Sequence, residues 1–107
     1  MRVLVTGATG FLGAAIAADL SQRGFEVVRL SRKVNSSGIA CDLRHRADVF
    51  RAMSEVATFD GVVHLAAQAH NLARVSKQQL FEANYEATKN LVDALASVQS
   101  LRTIKFL

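Results

Sequence analysis

Apolar residues follow two rhythms along this chain, short continuous runs and longer stretches at helical spacing. Arg2-Val3-Leu4-Val5-Thr6 is a short β-branched run closed by glycine, which predicts a buried strand. From Gly10 to about Arg23 the sequence is rich in alanine and leucine and lacks proline. It predicts a helix apolar on most sides, stopped by Gly24. Phe25–Leu30 reads as a second strand, Ser31–Gly38 as a polar loop and Ile39–Asp42 as a short third strand. A helix is expected over about Arg46–Ala57, a fourth strand over Gly61–Leu65, and a long helix from Ser76 to about Val98. Thr103–Leu107 begins a fifth strand. Strands alternating with helices indicate α/β architecture, a parallel sheet of right-handed βαβ units. Near-continuous apolar strands agree, because such sheets are covered on both faces. The expected strand order is 3-2-1-4-5, half of a doubly wound fold.

Composition narrows the class. At 107 residues the chain is one domain, and 50% apolar residues suffice for a packed core. No run of 18 or more apolar residues occurs, so no membrane partner is expected, and the N-terminus lacks a signal-peptide layout. A lone cysteine, Cys41, excludes an intrachain disulfide and most cysteine metal sites, which fits a cytoplasmic location. The net charge of +4 is concentrated in residues 23–51, where Arg23, Arg29, Arg32, Lys33, Arg44, Arg46 and Arg51 face three acids. A solvated basic face, nucleic-acid binding and a pocket for one phosphate are the three readings. The nucleic-acid reading lacks any stacking-aromatic cluster or recognition-helix motif, so no nucleic-acid partner is expected.

Between strand one and helix one lies Thr6-Gly7-Ala8-Thr9-Gly10-Phe11-Leu12-Gly13, with the spacing G-x-x-G-x-x-G. Gly7 permits a tight turn, Gly10 lets backbone approach a pyrophosphate, and Gly13 lets the helix sit close on the sheet. The helix N-terminus then presents unpaired N–H groups and a partial positive charge to phosphate.

This loop resembles the start of the extended short-chain dehydrogenase/reductase family, which includes NAD-dependent nucleotide-sugar epimerases and dehydratases. Three further segments match that pattern in order: Cys41-Asp42-Leu43, Val63-His64-Leu65-Ala66-Ala67, and Asn84-Tyr85-Glu86-Ala87-Thr88-Lys89-Asn90-Leu91. The resemblance implies a Rossmann-type domain over 1–107 and a cofactor set that begins with Gly7, Thr9, Gly10, Phe11, Leu12 and Gly13. It further implies that Asp42 accepts a hydrogen bond from the adenine amino group and that Leu43 supplies a backbone contact. Asp42 also reads as an ordinary N-cap of the following helix, and the two roles are compatible. Leu65, Ala66 and Ala67 would pack against the nicotinamide ribose and pyrophosphate. His64 is expected to be a satisfied core histidine rather than a catalyst, and His70 carries no assigned role. On a helical wheel Asn84 shares a face with Leu80, Ala87, Thr88, Leu91 and Leu95, so an amide enters the apolar stripe. The resemblance has it fix backbone beside the active site, and a structural tie is an equal reading. Ala87 stands where the family usually has glycine.

An NAD site of this type places an acid at the end of strand two, yet here that strand ends Arg29-Leu30-Ser31-Arg32-Lys33. Guanidinium binds a 2′-phosphate through charge-assisted bonds. NADP is therefore expected over NAD, with Arg32 the main ligand and Ser31 and Lys33 in support. The family's Tyr-x-x-x-Lys acid/base pair and its serine are not expected in this segment. Tyr85 and Lys89 have the spacing but belong to a different helix from the catalytic one. The expectation is the cofactor-binding half of a longer enzyme, truncated before its catalytic segment, with a nucleotide sugar as substrate of the parent. The unpaired edge of strand five is expected to support a homodimer. A noncatalytic NADP-binding regulatory module is the competing reading.

Overall fold

A computed structural model describes residues 1–32, 38–56, 58–65 and 76–107. Its elements are β1 (Arg2–Thr6), α1 (Phe11–Gln22), β2 (Glu26–Ser31), β3 (Gly38–Ala40), α2 (Arg46–Ser54), β4 (Gly61–His64), α3 (Lys77–Val98) and β5 (Lys105–Phe106). The five strands form one parallel sheet in the order β3-β2-β1-β4-β5, a Rossmann-type arrangement with helices against it.

Successive side chains of a strand point to opposite faces, and the core divides accordingly. Leu4, Leu30 and Val62 pack with Val49 and Met53 of α2 and with Leu91 and Leu95 of α3. Val3 and Val5 face Ala17 of α1, with Leu20, Phe25, Val27 and Val63 alongside. The central position of β1 explains its unbroken apolar sequence: Leu4, Val5 and Thr6 have no exposed surface. Although α1 is apolar on most sides, it buries only Gly13 and Ala17, so alanine's helix propensity sustains it more than packing does. It ends where Gly24 takes φ 93°, a backbone state that glycine reaches without strain. There the Gly24 N–H donates to the Ser21 carbonyl and the Phe25 N–H to the Leu20 carbonyl, a Schellman closure. At the start of α3, Ser76 and Gln79 exchange side-chain and backbone bonds as a capping box.

The elements differ from the sequence reading mainly at their ends. Asp42 does not cap α2, whose N-cap is His45 with no side-chain cap bond. The Asp42 carboxylate instead accepts from the Arg44 backbone N–H two residues on, closing a turn before the helix. β3 ends at Ala40 and α2 at Ser54, both short of their expected limits. Thr103 belongs to a 3₁₀ turn, Leu101–Thr103, because its hydroxyl donates to the Ser100 carbonyl at 2.6 Å.

Candidate functional site

The carboxyl ends of β1, β2 and β4 open on one cavity of about 260 Å³, which the start of the loop after β3 and one face of α3 complete. This is the position where an open α/β sheet reverses strand order, the usual ligand crevice of such folds. Its floor is the glycine turn. Gly7 adopts φ 66°, and the Gly10 N–H donates back to the Gly7 carbonyl at 3.1 Å. A Cβ on Gly13 would lie 2.0 Å from that same carbonyl oxygen, and one on Gly10 would lie 3.3 Å from it. The first turn of α1 therefore rests directly on the turn. No side chain caps α1, and Gly10, its N-cap residue, lines the cavity. The first N–H groups of a helix have no partner within it, so this end favours an anion.

Gly7, Thr9, Gly10, Ser31, Arg32 and Asp42 line the cavity, as do Leu43, Leu65 and Asn84. Phe11 and Leu12 do not: their side chains are exposed, Phe11 at 96%, so only their backbone belongs to the helix terminus. Gly13 is buried beneath the turn and acts by its lack of a side chain. Lys33, Ala66, Ala67 and His70 lie outside the described residues. Leu30, Arg44, Ala83 and Ala87 also line the cavity. Ala87 shares the Asn84 face that the helical wheel shows, whereas Ala83 carries no signal in the sequence and Arg44 enters it only as part of the charge.

The basic segment resolves into pairs. Arg23 bonds Asp19, Arg44 bonds Asp42, Arg46 bonds Asp93, and Arg51 bonds both Asp48 and Glu55. Among the described residues Arg29 and Arg32 have no carboxylate partner, and Arg32 is the one that lines the cavity. The Arg44 fork holds the Asp42 carboxyl down to about 2 from its ordinary 3.8, against a smaller opposing effect of burial. Burial, reinforced by the nearby Asp48 carboxylate, pushes the Cys41 thiol up to about 12.

His64 bridges three elements. Its Nδ1 lies 2.7 Å from Thr6 Oγ1 and its Nε2 lies 2.9 Å from Thr88 Oγ1, while the Leu65 N–H donates to Thr6 Oγ1 at 3.0 Å. Both ring nitrogens are satisfied, and burial lowers its pKa, favouring the neutral ring. Asn84 is half-buried; the buried amide that ties α3 to the rest of the site is Asn90, whose Nδ2 donates to the Leu43 carbonyl at 2.8 Å. Tyr85 is 56% exposed and stacks on Phe81, while Lys89 bonds Asp93, so this pair takes no part in the cavity.

Residues 3–106 match the family model described as "NAD dependent epimerase/dehydratase family". The chain belongs to this family. Among solved structures it is similar to the UDP-glucose 4-epimerase of Thermus thermophilus in complex with NAD. That similarity is at 36% identity and TM-score 0.78, over 92% of this chain and 34% of that one. Among curated relatives, 3-beta-hydroxysteroid dehydrogenase of Mycolicibacterium neoaurum is 34% identical over 87% of this chain and 28% of its own length. The dTDP-6-deoxy-L-talose 4-dehydrogenase (NAD(P)(+)) of Kitasatospora kifunensis is 31% identical over 92% of this chain and 32% of its own. The chain thus spans about a third of the length of these epimerase/dehydratase relatives. Among the described residues no helix is long and apolar enough to cross a membrane.

Proposed function

We propose that residues 1–107 are the dinucleotide-binding half of an NAD(P)-dependent epimerase, dehydratase or reductase acting at a hydroxyl or keto carbon of a nucleotide sugar. The observation that carries the cofactor reading is the uncapped start of α1 beside a turn that only glycine can form so tightly. The pyrophosphate would sit on Thr9, Gly10 and the first N–H groups of α1, with Asp42 and Leu43 at the adenine end. Leu65, Ala66, Ala67 and Asn84 would lie toward the nicotinamide.

NADP is the preferred cofactor in this reading. The cavity holds one guanidinium, Arg32, without a carboxylate partner among the described residues, next to Ser31. A carboxylate at the end of β2 would repel a 2′-phosphate, whereas Arg32 can bind it, with Lys33 adding charge. Calorimetric titration with both cofactors tests this: NADP should bind more tightly than NAD, and Arg32→Ala should abolish the difference. Tighter binding of NAD, or no loss in the variant, would sink the NADP preference. A reducing cytoplasm suits the buried thiol, and self-association through the edge of β5 would appear as a concentration-dependent dimer in sedimentation.

The second reading is a noncatalytic NADP-binding regulatory module, and Tyr85 and Lys89, which lie away from the cavity, do not decide between it and the enzyme. A serine and a Tyr-x-x-x-Lys encoded beyond Leu107 would decide for the enzyme, and their absence there for the module.

A further inference from the structure

The His64 ring does not line the cavity, yet it ties together three of its walls. Thr6 Oγ1 lies 2.7 Å from Nδ1, Thr88 Oγ1 lies 2.9 Å from Nε2, and the Leu65 N–H donates to Thr6 Oγ1. Thr6 is fully buried and precedes Gly7 of the glycine turn. Leu65 lines the cavity, and Thr88 follows Ala87, which lines it together with Asn84 on α3. The distances assign the tautomer. A separation of 2.7 Å suits a bond donated by a hydroxyl, and 2.9 Å one donated by a ring N–H. Thr6 therefore donates to Nδ1, and the single ring proton sits on Nε2 and goes to Thr88.

That arrangement has room for one proton. A second, on Nδ1, would face the Thr6 hydroxyl hydrogen, and the ring would carry a charge that nothing opposes. Among the described residues no carboxylate bonds either ring nitrogen. Arg2 and Asp60 lie at the opposite ends of β1 and β4, where the Asp60 carboxylate accepts the Arg2 backbone N–H. On β5, Lys105 pairs with Gly61, and the Leu107 carbonyl accepts the His64 backbone N–H. A terminal carboxyl there titrates at about 3.5, far below the imidazole range. On α3 the neighbours of Thr88 at helical spacing are Asn84, Tyr85, Leu91 and Val92, of which only the Tyr85 phenol is titratable. Lys89 bonds Asp93, and Glu86 is exposed. Thr88 is itself exposed, so the ring has a way to water on that side.

We propose that His64 is a proton-operated latch: neutral, it holds α3 against the ends of β1 and β4 and keeps the cavity assembled around a dinucleotide. Protonated, it lets go of Thr6, turns toward water past Thr88 and opens the cavity. The ligand rests on the dinucleotide reading above; the mechanics of the latch do not. Burial lowers the ring's pKa from its ordinary 6.5. The latched form is therefore favoured above that ordinary value and lost as pH falls below it toward the lowered one. Linkage is reciprocal: if the proton weakens dinucleotide binding, the dinucleotide must weaken proton binding by the same factor.

The test is calorimetric titration of the full chain with NADP at about pH 7.5 and about pH 5.5, either side of the ordinary imidazole value. Wild type should lose affinity in acid by about fivefold or more, the lower end of ordinary coupling. The 2′-phosphate titrates near 6 itself, at about the same pH, so the loss is read against His64→Gln, which should lack the excess. His45→Gln should retain it. Thr88→Val should weaken binding at the higher pH, and Thr88→Ser should restore it. In NMR the His64 ring should titrate below its ordinary value, and lower still with NADP bound. Equal profiles in wild type and His64→Gln, an excess that follows His45 or His70, or a ring titration unmoved by NADP would overturn the latch and leave the cofactor reading intact. If the chain binds no dinucleotide, the cofactor reading falls and amide exchange decides the latch. Protection of α3 relative to α2 must then drop in acid in wild type and hold in His64→Gln; unchanged protection would overturn it. Should His64→Gln fail to fold by circular dichroism, the ring titration and the Thr88 pair decide, with equal binding by Thr88→Val and Thr88→Ser counting against the latch.

Discussion

The two ends of the cavity are built on different principles. The glycine turn is made of backbone held within a few ångströms of itself, with Gly13 pressed against the Gly7 carbonyl and no side chain involved. The Asp42–Arg44 end is made of side-chain bonds, local ones from Arg44 in the same turn and one that reaches across the fold from Asn90 on α3. A steric construction tolerates no added atom. A hydrogen-bonded one tolerates replacement as long as donors and acceptors still match.

The largest effect is therefore expected at the glycine turn. Gly13→Ala gains helix propensity, on the order of 1 kcal/mol, yet puts its Cβ 2.0 Å from a backbone oxygen. The clash should dominate, with a net loss of roughly 3 kcal/mol, at the upper end of overpacking costs. Urea denaturation would measure it, and a stabilised Gly13→Ala would break the comparison. Gly10→Ala, with 3.3 Å of room, should cost far less, which separates the two glycines within one loop.

At the other end, Asn90→Leu keeps the branched outline, though at a larger volume, and leaves the Leu43 carbonyl without its donor. An unsatisfied buried polar group costs about 1–3 kcal/mol, so this variant should lie between the two glycine variants in denaturant. A loss equal to that of Gly13→Ala would mean that the side-chain end is as unforgiving as the steric one.

A smaller effect is expected from pH. The folded-state pKa of Asp42 lies below its ordinary 3.8, at about 2, so its ionised form stabilises the fold above the unfolded value. That contribution should be fully present near neutrality and fade as pH falls from about 4 toward 2. In Asp42→Asn that part of the acid sensitivity should vanish, and an unchanged acid limb would contradict the Arg44 fork. The smallest effect concerns Cys41, whose thiol is buried and raised to about 12. It should resist an aromatic disulfide reagent at pH 8 in the native chain and react once the chain is unfolded. Rapid native labelling would mean that the core beneath the Asp42 turn opens readily.

The same contrast explains what could be read from the residues alone. The parallel sheet, its order and the glycine turn follow from local patterns, because a β-branched run closed by glycine states its own structure. Gly7 and Gly13 could each be assigned a task within an eight-residue window. The Asp42 end could not be read this way. Its carboxylate looked like a helix cap, because nothing local announced that Arg44 would turn back on it and leave His45 at the cap position. Asn84 was singled out as the amide in the apolar stripe, whereas Asn90, about a turn and a half further on, is the one that is buried. Its partner lies 47 positions away in sequence, and no window could contain both. Cavity-lining Ala83 was silent for a different reason, since a small residue marks a helix's close approach only once the neighbour is known.

The central placement of β1 also bears on the order of events when the chain folds. β1 meets β2 across 24 residues, as in Arg2 opposite Glu26, and meets β4 across 58, as in Thr6 beside His64. Closing the longer loop costs about 0.8 kcal/mol more chain entropy. As a hypothesis, the β1–α1–β2 unit, with the glycine turn inside it, gains protection first, and the base end waits for α3 to dock. Pulse-labelled hydrogen exchange that found α3 and β4 protected before β2 would reverse that sequence.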